Sequence, residues 1–260
     1  MGFEPPGPRV PPCQVGVSAT SLTVRFRRHA VLSDLTVQVG SGVVALVGPN
    51  GSGKTTLLRV LATLRRPDGG SVSLGGHDLA SPGGAARARR ELGFLPQDPE
   101  PLAHLRVDEA IVYAAWLKGV PRRERAARVD EMLEALDLTA VSSSRLRTLS
   151  GGTRQRAHLA QAMVHRPRVL LLDEPSTGVD AEHRVDLRAT LRRLAQGRLV
   201  VMSTHLTEDI ELLADRVLAL ESGRVRFDGT PAELADLAGP GPSDEPARAI
   251  ERGLRALGRR

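Results

Sequence analysis

The sequence predicts an α/β fold: a mainly parallel sheet flanked by helices, an antiparallel β segment ahead of it, and an inserted helical lobe. Three observations carry this. Apolar runs at 43–47, 169–172 and 199–202 are short and uninterrupted, as strands buried on both faces are. Helix-period stretches separate them, the order of a crossover-connected parallel sheet. The first run leads directly into Gly48-Pro49-Asn50-Gly51-Ser52-Gly53-Lys54-Thr55-Thr56, followed by Leu57, Leu58, Val60, Leu61 and Leu64 at helical spacing.

Residues 1–14, rich in Pro and Gly, read as disordered. Short alternating strands over 15–39 suggest an antiparallel sheet. A strand pair near 71–74, a loop rich in Gly and Arg, and a strand at 92–95 follow the cradle helix. The helical lobe runs from about 99 to 156. In it Ala110, Ala114, Ala115 and Leu117 fall in one amphipathic helix and Val129, Met132, Leu133 and Leu136 in another. A helix near 182–195 crosses over between the later strands, and 217–220 is a further strand. Glu221-Ser222-Gly223-Arg224 reads as a hairpin turn into a strand at 225–227. One compact unit over 15–238 is expected, then a Gly239-Pro240-Gly241-Pro242 linker and a basic tail to 260. Ala247, Ile250, Leu254 and Leu257 share one helical face of that tail. It suits either an anionic lipid surface or a solvated, frayed end. Gly253 within it weakens a helix by about 1 kcal/mol relative to Ala.

The cradle fits Gly-x-x-x-x-Gly-Lys-Thr. Its glycines let successive N–H groups converge on one anion, and the helix N-terminus adds partial positive charge. Lys54 would reach the β- and γ-phosphates of a nucleotide, and the Thr55 hydroxyl would bind Mg²⁺. Such a site needs a carboxylate for the metal and a group that orients water. The run ending in Asp173-Glu174-Pro175 supplies both. Neighbours on a strand point oppositely, so Asp173 would lie near the metal, beside the cradle strand, and Glu174 would polarise the water. Leu149-Ser150-Gly151-Gly152-Thr153 opens a second helix able to bind an anion. A head-to-tail dimer gives both helix ends a role, each nucleotide lying between the cradle of one subunit and the Ser150-Gly151-Gly152 end of the other.

With these four segments the chain resembles the ATP-binding subunit of an ABC transporter, from about residue 15 to 237. Cradle, Leu-Ser-Gly-Gly signature, carboxylate strand and Ser203-Thr204-His205 occur in that family's order. Ser150 precedes Asp173 by 23 positions and His205 follows it by 32. The resemblance implies a P-loop NTPase core of the ABC ATPase fold, with ATP and Mg²⁺ as ligands. It implies further roles: Gln97 as the glutamine that touches Mg²⁺ or the attacking water, Asp180 at the dimer seam, and His205 bonding the γ-phosphate. Around Asp180, Gly178-Val179 preceded by Thr177 replaces the usual Ala-Leu. Phe26 stands where the family stacks adenine; by alternation with Leu22 and Val24 it also reads as a core residue. Thr153 replaces a common Gln and stays polar.

At 260 residues the chain can bury one sizeable core. No apolar run approaches the roughly 20 residues that span a bilayer. No signal peptide is evident, and a single cysteine, Cys13, suits a reducing compartment. The expectation is a cytoplasmic protein peripheral on the inner face of the cell membrane. The net charge of +6 is almost wholly arginine, since Lys54 and Lys118 are the only lysines. With aromatics at 2%, there is little on which nucleic-acid bases could stack, and no nucleic-acid partner is expected.

The expected partners are therefore an integral membrane permease and a second ATPase subunit, in a homodimer. The helical lobe is either a stabilising insertion or, as the resemblance implies, the surface that grips the permease. Residues 95–99 and 228–234, and the absence of a large C-terminal regulatory domain, resemble subunits of ABC-2 type drug, antibiotic or polysaccharide exporters. Two alternatives stand: a soluble ABC ATPase acting on nucleic acid or ribosomes, and an inactive nucleotide-binding subunit. Against the first, only 53 positions separate Gln97 from Ser150, too few for a long coiled-coil insertion.

Overall fold

The computed structural model describes residues 16–99, 102–237, 239 and 245–258. The expected disorder of 1–14, and all of the expected linker except Gly239, lie outside these residues. Among these residues, ten strands and nine α-helices follow one another as β1 (Val17–Phe26), β2 (His29–Val39), β3 (Gly42–Val47), α1 (Lys54–Leu61), β4 (Gly69–Leu74), β5 (His77–Asp78), α2 (Gly84–Glu91), β6 (Leu92–Leu95), α3 (Val107–Leu117) and α4 (Arg122–Ala135). There follow α5 (Gly151–Met163), β7 (Val169–Asp173), α6 (Ala181–Leu194), β8 (Leu199–Ser203), α7 (Thr207–Leu213), β9 (Arg216–Glu221), β10 (Arg224–Gly229), α8 (Pro231–Asp236) and α9 (Pro246–Leu257). An antiparallel sheet ordered β2-β1-β4-β5 packs beside a six-stranded sheet ordered β10-β9-β3-β8-β7-β6. All pairs in the second sheet are parallel except β9–β10.

The apolar runs behave as their lack of alternation requires, with both faces of β3, β7 and β8 covered. Val44, Leu46, Leu171 and Val201 face a layer built from the antiparallel sheet and α1. Val43, Leu170, Leu172, Val200 and Met202 face the layer of α3–α6. The antiparallel strands are 10 and 11 residues long rather than short. Ser21, at φ 49°, marks a register shift that returns Leu22 and Val24 to the core side.

Three sequence expectations change. Residues 84–91 form α2 rather than a loop: Ala85, Ala86, Arg87 and Ala88 are good helix formers, and Arg89 and Arg90 favour its C-terminal end. In α3 the buried face is Val107, Ala110, Ile111 and Ala115, while Leu117 is exposed. Within the described part of the basic tail, residues 246–257 are neither frayed nor presented to lipid; they form α9, which packs on α7 and α8. Ile250 is buried there with Val47, Ile210, Ala219 and Leu234, a contribution of roughly 1.5–3 kcal/mol for a side chain of that size. Gly253 has a packing reason, since a Cβ there would fall 2.0 Å from Leu234 O.

One carbonyl at the start of β6 gathers two basic side chains from the helical layer. Lys118, which caps α3, donates from Nζ to Leu92 O at 2.8 Å, and His165 Nε2 donates to the same oxygen at 3.0 Å. His165 Nδ1 is then the unprotonated nitrogen, buried without a partner among the described residues. Burial, and next the Lys118 charge, lower the His165 pKa from 6.5 to about 4. Below about pH 6.5 the unfolded chain therefore binds a proton that the folded chain refuses, and stability falls until about pH 4. His165→Gln should flatten that loss, which reaches at most about 3 kcal/mol; urea unfolding at pH 7 and pH 4.5 checks it.

Candidate functional site

Parallel register brings the chemistry to one edge. Leu46 pairs with Ser203, and Ser203 with Asp173, so the C-terminal ends of β3, β8 and β7 lie abreast. Asp173 is not beside the cradle strand as expected. The crossovers place β8 between β7 and β3, and β9 takes the other side of β3. Leu95 pairs with Leu172, which puts the loop holding Gln97 at the same edge. Open parallel sheets bind ligands in this position.

The cradle has the backbone that its glycines permit. Gly48 has φ 143°, and a Cβ on it would lie 2.1 Å from Leu220 O. Gly53 has φ 105° and caps α1, whose first residue is Lys54. Pro49, Asn50 and Gly51 form an exposed rim, and Thr55 and Thr56 sit half-buried on the first helical turn. Ser52 Oγ is buried with no hydrogen-bond partner among the described residues. Lys54 is buried and donates from Nζ to Gly48 O at 2.7 Å and Pro49 O at 3.1 Å, which holds its ammonium against the loop. Burial lowers its pKa, opposed by the charges of Glu174 and Asp173.

The two carboxylates point to different partners, because Glu174 lies beyond the end of β7 and the chain turns there. Asp173 is buried; its Oδ1 accepts from Ser203 Oγ at 2.6 Å and from Thr55 Oγ1 at 3.4 Å. Ser203 Oγ in turn accepts from Glu174 N at 2.8 Å. Glu174 leaves the strand in a left-handed conformation, φ 52°, which costs a non-glycine residue energy and occurs where a site demands it. Its Oε2 accepts from His205 Nδ1 at 2.7 Å and from Thr177 Oγ1 at 3.4 Å. The cradle lysine, the two adjacent carboxylates and the histidine thus converge from three segments.

Other expected residues make no hydrogen bond to this group among the described residues. Gln97 is exposed in a bend after β6. Ser150 caps α5, its Oγ accepting from Thr153 N at 3.3 Å and donating to Thr153 Oγ1 at 2.9 Å. Gly151 lies against Gly178 O, and Gly152 against His183. The signature end therefore packs on the loop before α6 and on the first turn of α6, and no hydrogen bond among the described residues joins it to the cradle of its own chain. Asp180 caps α6; hydrogen bonds from the His183 side chain and backbone hold its carboxyl below the usual range. Phe26 is not core: the residue is 46% exposed, with the Arg65 guanidinium 3.8 Å from its ring centroid. Strand β1 outruns the core at this end, so alternation ceases to mean burial. Ser203 was legible only as part of a motif, and Gln155, which donates to Pro175 O at 2.9 Å, carried no signal in the sequence.

The ABC transporter family matches residues 32–177, more than half of the chain. The chain belongs to the ABC transporter ATP-binding family. It is 39% identical over 225 residues to "Sulfate/thiosulfate import ATP-binding protein CysA" of Thermosynechococcus vestitus, covering 85% of this chain and 66% of the relative. To "Uncharacterized ABC transporter ATP-binding protein YxlF" of Bacillus subtilis it is 34% identical, covering 84% and 72%. To "Daunorubicin resistance ATP-binding protein DrrA3" of Streptomyces coeruleorubidus it is 37% identical, covering 83% and 70%. The chain thus spans about two thirds of the length of the curated relatives it matches. The solved "Structure of ATP binding subunit of ABC transporter" superposes with a TM-score of 0.81 at 26% identity, over 94% of this chain and 100% of that one. The expected α/β ABC ATPase fold is the observed one.

The exposed Phe26 ring offers a test of base stacking. Phe26→Ala should weaken ATP binding by about 5- to 150-fold, the equivalent of roughly 1–3 kcal/mol of stacking. A titration with a fluorescent ATP analogue measures this; unchanged affinity removes Phe26 from the site.

Proposed function

We propose that this chain binds and hydrolyses ATP with Mg²⁺ at the interface of a two-fold dimer and so drives a separate membrane permease. The observation that carries the hydrolytic reading is the Glu174–His205 hydrogen bond at the mouth of the Lys54 cradle. Family membership supports it.

The residues present fit the two ligands. The cradle presents backbone N–H groups, an orphan Ser52 hydroxyl and the Lys54 ammonium, a donor set for phosphate oxygens. Thr55 Oγ1 and Asp173 Oδ1 are hard oxygen donors that already converge, and Gln97 would join them from its loop. No group of three or more His, Cys, Asp or Glu among the described residues could hold a metal alone. A site of one carboxylate completed by phosphates and water is how Mg²⁺ is usually held. When bound, the metal would supply positive charge that offsets the negative charge developing on the phosphates.

Lys54 then exchanges its bonds to the loop carbonyls for the β- and γ-phosphates. Glu174 accepts a hydrogen bond from the attacking water and directs it in line. His205 donates Nδ1–H to Glu174, leaving Nε2 toward the γ-phosphoryl group, where it donates once the ring carries both protons. Ser150, Gly151 and Gly152 of the second subunit would close the site, with Asp180 at the seam. The exposed helix N-terminus at Ser150, away from its own cradle, supports that arrangement.

Permease docking is assigned to α3. Its outward side exposes Val112, Tyr113, Trp116 and Leu117, with the two aromatic rings 5.8 Å apart. An apolar surface of this kind marks a protein contact. No helix among the described residues is long and apolar enough to cross a membrane. We place the chain on the cytoplasmic face of the membrane through that contact. The relatives' names divide between import and drug resistance; the export reading rests on the segments 95–99 and 228–234. None of the three relatives has a name that points to nucleic acid or ribosomes.

Glu174→Gln should retain ATP binding, accumulate dimer on size-exclusion chromatography, and hydrolyse about 100- to 1,000-fold more slowly. Turnover like the parent's removes Glu174 from its role. Trp116→Glu should abolish co-purification with the permease from membranes while leaving ATP hydrolysis by the isolated subunit within about twofold. Retained co-purification moves the docking surface elsewhere.

A further inference from the structure

Asp209, four residues beyond His205, is completely buried on α7 and so faces no nucleotide. Its Oδ2 accepts from Ser176 Oγ at 2.8 Å and from Thr204 Oγ1 at 3.1 Å. Its Oδ1 accepts from Arg188 Nε of α6 at 2.6 Å. Ser176 lies two residues after Glu174, and Thr204 immediately precedes His205. Thr204 Oγ1 also accepts from Leu206 N at 3.1 Å, so the backbone is fixed on both sides of His205. Arg188 extends the network to the exposed Glu208 at 2.7 Å. Burial works against the Arg188 charge, but hydrogen bonds from it to Asp209 and Glu208 raise its pKa. A buried carboxylate is tolerated only with such compensation, and here three of its donors come from three different segments.

We propose that Asp209 is a positioning residue: by binding Ser176 and Thr204 with one oxygen, it joins the segment carrying Glu174 to the segment carrying His205 and sets their 2.7 Å contact. This rests on the reading that Glu174 and His205 align the attacking water. A hydrophobic side chain at 209 could fill the space, but it could not clamp two hydroxyls from opposite sides of the catalytic edge. Arg188 alone needs only one carboxylate oxygen, which leaves Oδ2 for that task.

The test is steady-state ATP hydrolysis by the full chain carrying Asp209→Asn or Ser176→Ala, each alone and in a His205→Ala background. Ser176→Ala removes one hydroxyl and leaves the Asp209–Arg188 pair in place, so it keeps the test open should Asp209→Asn fold poorly. Each replacement should lower kcat about tenfold with KM for ATP within about twofold, and should lower the residual rate of His205→Ala no further. An unchanged kcat, a rise in KM that accounts for the loss, or a full tenfold further loss in the His205→Ala background overturns the proposal. A second readout is independent of turnover: the Nδ1 signal of His205 in ¹⁵N-histidine-labelled protein should move toward that of a free imidazole in both variants. An unmoved signal overturns the positioning role even in a chain that hydrolyses nothing. Absence of hydrolysis by the parent chain would count against the ATPase reading instead.

Discussion

Ser203 Oγ donates to Asp173 Oδ1 and accepts from Glu174 N, and the geometry of the whole edge follows from that one hydroxyl. Asp173 is almost wholly buried, where an uncompensated carboxylate would be prohibitively costly. Compensation comes from the neighbouring strand because the parallel register sets Ser203 opposite Asp173. The same hydroxyl captures the first peptide N–H beyond the strand. The chain must therefore turn at Glu174, in the left-handed conformation it adopts, and the second carboxylate swings to His205. A slip of one residue in the β7–β8 register would take Ser203 away from Asp173 and leave that buried carboxylate without this donor.

Around this edge, rigid elements supply the positive partners. The Gly48 backbone can pass Leu220 only because it lacks a side chain, so β9 helps to shape the cradle as much as β3 does. Lys54 is pinned by two carbonyls of that loop and faces the fields of Asp173 and Glu174. Its charge is thus prepaid in position, before any phosphate arrives. Beneath the edge, Asp209 gathers two hydroxyls and a guanidinium from the segments that follow β7 and β8. The site stands on a polar underlayer that never meets its ligand.

Much of this was legible in the chain itself. The cradle, the paired carboxylates and the signature helix are local patterns whose chemistry depends on adjacent residues. The buried strands showed themselves as unbroken apolar runs, because both of their faces are covered. Phe26 misled in one of its two readings: alternation records which side a residue points to, not whether the core extends that far. The α2 segment misled because glycines at 83 and 84 hide a helix made of alanine and arginine. The tail's amphipathic face was correctly seen, but its partner was not. Ile250 meets residues as distant in sequence as Val47.

By itself, the sequence determined the phosphate-binding backbone, the identity of the charged groups and the family. Each of these resides in short spans whose conformation follows from glycine, lysine and strand or helix period. Only tertiary structure decided that β8 lies between β7 and the cradle strand, that Ser203 links the Asp173 carboxylate to the Glu174 peptide N–H, that Asp209 joins the segments following β7 and β8, and that α9 is part of the core. Those facts depend on strand order and on contacts between residues far apart in the chain, which no local pattern encodes.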